Sequence, residues 1–114
     1  MTPDQVPALA LGLLGVHEAD HHGRASYRSE GKILATVTDE DALNVMLGED
    51  EARAAAAAHP DCCALLWWGR QLSGVRVEVR SATPEVVAEL LDEAWQRRAS
   101  ARLRAARGRT GEGL

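Results

Sequence analysis

No stretch of the 114-residue chain approaches the run of about 20 apolar residues that a membrane-spanning helix needs. The opening residues, Met1-Thr2-Pro3-Asp4-Gln5, hold neither a basic segment nor an apolar leader, which points to a cytoplasmic protein without a membrane partner. Cysteine is scarce: Cys62 and Cys63 are the only two, and they are adjacent. Two thiols make no disulfide framework, and no C-x-x-C spacing is present. Neighbours on a strand point to opposite faces, so the pair is expected to be two inert buried thiols that pack as small apolar groups. A nucleophile elbow and a phosphate-binding glycine loop are also missing. A nucleophilic Ser, Thr or Cys needs an oriented base beside it, and no local pattern supplies one. The chain is therefore expected to be non-enzymatic and to use no cofactor.

What is present is a globular composition, 46% hydrophobic and 26% charged, at a length that fits one domain. The formal net charge of −4 is unevenly spread. Residues 1–96 hold sixteen acidic and seven basic side chains; residues 97–114 hold six arginines and only Glu112 as an acid. An acidic body with a basic end suits either a polyanion-binding tail or a tail that folds back on its own body.

Val6, Leu9, Ala10 and Leu13 recur at helical spacing after Asp4, and Gly15 ends that helix, expected at about 4–14. His17 to Gly23 reads as a polar turn or short strand. Strands follow at Arg24–Ser29, Lys32–Thr38 and Leu43–Leu47, with Ile33, Ala35 and Val37 on one face. The last of these also has a helix-start signal before it, Thr38 with Asp39, Glu40 and Asp41. Alanine-rich Glu49–His59 with its acidic first turn predicts a helix stopped by Pro60. Cys63–Trp68 is an apolar run of strand length, and Val75–Arg80 alternates valine with charge. Thr83-Pro84-Glu85 is a cap, a first-turn proline and an acid, opening a helix striped by Val87, Leu90, Leu91, Ala94 and Trp95. That helix is expected to overrun Arg98 by a turn or two and then fray. The predicted fold is α+β in two layers: a five-stranded antiparallel sheet with helices on one face, in the order α-β-β-β-α-β-β-α. Residues 1–103 form the domain, and residues 104–114 read as a basic, disordered tail.

Four stretches together resemble the MmcQ/YjbR family of small bacterial proteins. They are ALALGLLGV at positions 8–16, YRSEGKILA at 27–35, WGRQLSGVRVEV at 68–79, and AWQRRASARL ending at Leu103. YRSEGKILA is similar to the family's aromatic-x-x-x-Gly-Lys-Ile hairpin, and WGRQLSGVRVEV to its aromatic-Gly-Arg segment before a strand. Leu14 stands where the family usually has proline, and Met46 where it commonly has lysine. The resemblance implies a two-layer α/β fold, nucleic acid as the partner, and no catalytic residues.

Two features of the residues bear on binding. If Ala25, Tyr27 and the valines face the helices, the opposite sheet face carries Arg24, Arg28, Lys32, Arg76 and Arg80, a basic surface suited to a polyanion or an acidic ligand. Trp67 and Trp68 should fall on opposite faces of their strand, one in the core and one outside. The outer ring is either covered by the C-terminal segment or a second subunit, or is a stacking platform for a base or a small flat ligand. The candidate binding residues are therefore Arg24, Arg28, Lys32, Trp68, Arg70, Arg76, Arg80, Arg98 and Arg102. His17 and His21, four apart beside His22, Glu18 and Asp20, read as a solvated turn rather than a metal site. The leading expectation is a DNA-binding protein, and the alternative is a protein that sequesters a small drug-like molecule on its outer sheet face.

Overall fold

The computed structural model describes the backbone of residues 1–112 and the side chains of residues 1–108. A 3-10 turn at Pro3–Gln5 leads into α1 (Val6–Leu11). Strands β1 (Val16–His21), β2 (Arg24–Ser29), β3 (Lys32–Asp39) and β4 (Ala42–Met46) follow. After α2 (Glu49–Ala58) come β5 (Cys63–Trp68) and β6 (Gln71–Glu78), a 3-10 turn at Val79–Ser81, then α3 (Pro84–Arg98) and α4 (Ala101–Glu112). The six strands form one antiparallel sheet in the order β1-β2-β3-β4-β6-β5. The α+β class and the antiparallel sheet agree with the sequence reading. The strand count and element order do not: β1 is a sixth strand and α4 a further helix.

The sequence leaves His17 to Gly23 open between a turn and a short strand, and the reason is the position of β1. It is an edge strand bonded on one side only, and much of it is solvent-exposed on both faces, so no apolar alternation marks it. Registers then set the faces. Tyr27, Ala35, Val45, Val75 and Leu65 form one row across β2 to β5, and Val37, Leu43, Val77 and Cys63 form the next. Most of these residues are buried and join Val6, Ala10, Ala52, Ala55, Val87, Leu90, Leu91, Ala94 and Trp95 from the helices in one core. The opposite face carries the row Ala19, Ser26, Thr36, Asn44, Arg76, Ala64. A bulge opposite Tyr27/Arg28 shifts β3. In consequence Leu34 joins the core and Ile33, expected there, is only half-buried beside Arg28.

The C-terminal end differs most from expectation. Helix α3 does not overrun: Ala99 is extended (φ −64°, ψ 145°), and its N–H closes on the Trp95 carbonyl. Ser100 then accepts a bond from Leu103 N at 3.2 Å, an N-cap that starts α4. The backbone is helical to Glu112, where disorder was expected from Arg104; the expectation for residues 113–114 lies outside the described residues. Helix α4 docks on the body. Leu103 is buried and occupies the space beside Gly15, with its methyls 3.2 Å from where a Cβ would sit on that glycine. Arg102 pairs with Glu30 at 2.8 Å. Arg107 pairs with Asp92, and its guanidinium lies 3.9 Å from the centroid of Trp95. The tail thus folds back on the acidic body.

Candidate binding site

The sheet face opposite the helices does not gather the five bases expected there. Arg24, Arg28 and Arg76 share it, in the register His21–Arg24, His17–Arg28 and Asn44–Arg76. Lys32 pairs with Ser29, which alternates with Arg28, so it falls on the other side. Arg80 lies beyond the sheet, because β6 ends at Glu78 and Val79 turns into a 3-10 helix. The terminal ammonium of Met1 donates to the Val79 and Ala82 carbonyls and holds that turn.

Most of these guanidiniums are already engaged internally. Arg76 donates to Asp39 at 2.9 Å, Glu78 at 3.1 Å and Thr38 Oγ1 at 3.1 Å. The Arg76 hydrogen bond and the Asp41 amide hold Asp39 below the usual carboxylate range. Arg80 pairs with Asp41 at 2.7 Å. Arg28 donates to Ser26 Oγ at 3.0 Å. Neighbouring carboxylates thus offset the charge of Arg76 and Arg80 through exposed pairs, which are individually weak.

The two neighbouring tryptophans are both exposed, 46% for Trp67 and 59% for Trp68, so neither is the expected core ring. The buried tryptophan is Trp95, whose Nε1 donates to the Leu14 carbonyl at 2.8 Å. A register shift between Leu66 and Trp67 places Trp67 opposite Leu72, with Arg53 of α2 at 5.9 Å from its ring centroid, within cation–π range. Trp68, at the end of β5, lines a cleft of about 140 Å³ with Met46, Gln71, Leu72, Ser73, Arg97 and Arg98.

This cleft brings together two residues singled out from sequence, Trp68 and Arg98, and adds Arg97, Met46 and Gln71. Arg98 is the last residue of α3, and its Nε is buried with no hydrogen-bond partner among the described residues. Burial, and then the charge of Arg97, lower its pKa. A buried donor without an acceptor is costly, so an anion seated here would gain what the fold leaves unmet. Arg70 is exposed in the β5–β6 turn that follows Trp68. Arg24 and Lys32 lie in the β1–β2–β3 part of the sheet, and Arg102 is held by Glu30; none of the three lines the cleft. The signal for Arg97 was Ser100: read as an N-cap, it ends α3 at Ala99 and brings both arginines into the last turn.

Arg97 also lines a second, larger cavity of about 520 Å³, with Leu47, Gly48, Glu51, Glu93 and Gln96. Burial, and then Glu89, Glu51 and Asp92, raise the pKa of Glu93. Its ionised form therefore opposes folding above the ordinary carboxylate range, and that penalty fades as pH falls through the raised value. Glu93→Gln is expected to raise the melting temperature at pH 7 and to give no gain near pH 4; a variant that melts lower at pH 7 would refute this account.

The three amino-terminal histidines do not form a metal cluster. His17 and His21 share the outer face of β1, while His22 sits in the turn at φ 55° with its ring 4.5 Å from that of His21. Among the described residues no group of three or more His, Cys, Asp or Glu is placed to hold a metal, and no helix is long and apolar enough to cross a membrane. No curated protein and no solved structure matches the chain. The YjbR family model matches residues 11–97, from the end of α1 through almost all of α3 and thus the whole sheet, and the chain belongs to that family.

Proposed function

We propose that this protein is a non-enzymatic binding protein that takes a small planar anion in the cleft between Trp68 and Arg98. The observation that carries the reading is the unpartnered, buried Arg98 Nε beside a 59% exposed indole. An aromatic carboxylate or similar acid would stack on Trp68 and give an acceptor to the guanidinium. The cleft is smaller than a typical drug-sized pocket of about 300–1,000 Å³, so one ring enters and the rest of the ligand lies over Trp68 or toward the larger cavity past Arg97.

Nucleic acid is the alternative reading. It is favoured by the grouping of Arg97 and Arg98 about Trp68, with Arg70 in the adjoining turn, since single strands are bound by stacking plus phosphate contacts. The engagement of Arg76, Arg80, Arg102 and Arg107 with carboxylates weighs against a long phosphate track.

Titration with 2-naphthoate and, separately, with a single-stranded oligothymidylate, read by tryptophan fluorescence, tests both. The expected result is naphthoate quenching with a shallow salt dependence, and at least about a tenfold loss of affinity, ~1.4 kcal/mol, in Trp68→Ala and in Arg98→Leu. Oligonucleotide binding that falls steeply with salt and is lost in the same variants selects the nucleic-acid reading. Binding of either probe that is indifferent to both substitutions removes the cleft as the site.

A further inference from the structure

Cys62 and Cys63 are not the diverging strand neighbours that their sequence suggests. Cys62 precedes β5, in the turn that follows α2, where both amides close on one acceptor: Cys62 N and Cys63 N each donate to the His59 carbonyl, at 3.2 and 2.8 Å. This turn swings the first thiol toward the other, and the two sulfurs lie 3.8 Å apart, both side chains buried. Cys63 is locked in the sheet opposite Val77 and belongs to the core. Cys62 borders a cavity of about 200 Å³ between the end of α2 and the start of α3, lined also by His59, Ser81 and Thr83. One thiol thus meets an entry path, and its neighbour waits directly behind it.

We propose that Cys62 and Cys63 form a dithiol site for trivalent arsenicals, with one arsenic atom bridging the two sulfurs. The separation is far too long for a disulfide of about 2.05 Å. A single bridging atom with bonds of about 2.3 Å, the length of a zinc–thiolate bond, spans 3.8 Å at a near-tetrahedral angle, and the narrower pyramidal angle of trivalent arsenic asks the sulfurs only to close slightly. The chemistry also fits the burial. Burial pushes the Cys63 thiol up to about 12, with Cys62 adding to the shift, so Cys63 is poorly suited to a divalent cation that demands a thiolate. An arsenic(III) dihydroxide has no such demand. Each S–H proton leaves with one hydroxyl as water, two As–O bonds are replaced by two As–S bonds, arsenic stays trivalent, and the product is neutral. No charge is carried into the core, and no oxidant or reductant is consumed.

The test uses the reduced full chain and phenylarsine oxide, which hydrates to the phenylarsenic dihydroxide. The expected result is an intact mass raised by one phenylarsenic group per chain under native conditions, with both thiols lost to monobromobimane and both recovered by excess 2,3-dimercaptopropanol. Cys62→Ser, whose substitution falls at the cavity wall, should retain the fold by circular dichroism and lose the adduct that survives desalting. The wild-type thiol count tests the site even if Cys62→Ser fails to fold. No adduct on the native chain, an adduct that forms only in denaturant, or an equally stable adduct on Cys62→Ser would each overturn the proposal.

Discussion

Gly74→Ala is expected to lower the melting temperature by more than about 10 °C, the equivalent of at least about 3 kcal/mol in a domain of this size. Gly74 lies within β6 at φ 157°, opposite Met46 of β4. A Cβ added there would sit 1.9 Å from the Val45 carbonyl oxygen and 3.0 Å from Leu47 N. Both contacts are backbone, so no side chain can turn aside to make room. The only relief is to part β4 from β6, and that pair joins β5 to the rest of the sheet. The Leu47 N–H bond to the Ser73 carbonyl, 3.1 Å, sits at the same place and would be strained first. Thermal unfolding followed by circular dichroism measures the effect; a fall under about 5 °C would show that the strands separate locally at small cost.

Val77→Asp is expected to leave the chain largely unfolded at 25 °C. Val77 is wholly buried, in the row that also holds Val37, Leu43 and Cys63. A carboxylate there has no partner of opposite charge in its row, and taking it out of water costs more than about 4 kcal/mol, against a total stability of about 5–15 kcal/mol for a domain. Its neighbour supplies the contrast. Arg76→Asp reverses a charge on the outer face and loses the bonds to Asp39, Glu78 and Thr38, which are partly exposed; exposed ion pairs contribute about 0–1 kcal/mol each, so that variant should remain folded. Folded Val77→Asp with unfolded Arg76→Asp would mean that the two sheet faces are inverted.

The fate of the arginine-rich end shows what charge pattern leaves open when partners are distant in sequence. Six arginines after Gln96 suit a polyanion-binding tail and a tail folded back on the body equally well, and their composition does not choose between the two. In the fold Arg102 is held by Glu30, and Arg107 by Asp92 and the face of Trp95. Removing everything after Ala99 would therefore expose Trp95 and the Gly15 turn, and would not be the neutral truncation that composition implies. Arg97 and Arg98, in contrast, end α3 free of carboxylate partners among the described residues and line the cleft with Trp68.

Local chemistry was enough for the elements whose signals lie within a few residues. Thr83-Pro84-Glu85 starts α3, and Thr83 Oγ1 accepts from Val86 N at 3.2 Å as its cap. The acidic turn and alanines make α2, the alternating valines make the centre of β6, and the order of four short motifs placed the chain in its family. Strand β1 and the bulge that moved Leu34 inward follow from how neighbouring strands pair, which no apolar alternation marks. The pairing of Arg76 with Asp39 joins groups far apart along the chain, and the approach of Cys62 to Cys63 depends on the folded path of a turn closed on His59. The division has a physical cause. Caps and periodicity act between residues a turn apart and can be read off in order. Register, burial and ion pairing depend on which distant groups the packed sheet brings within a few ångströms, and only the folded chain chooses among them.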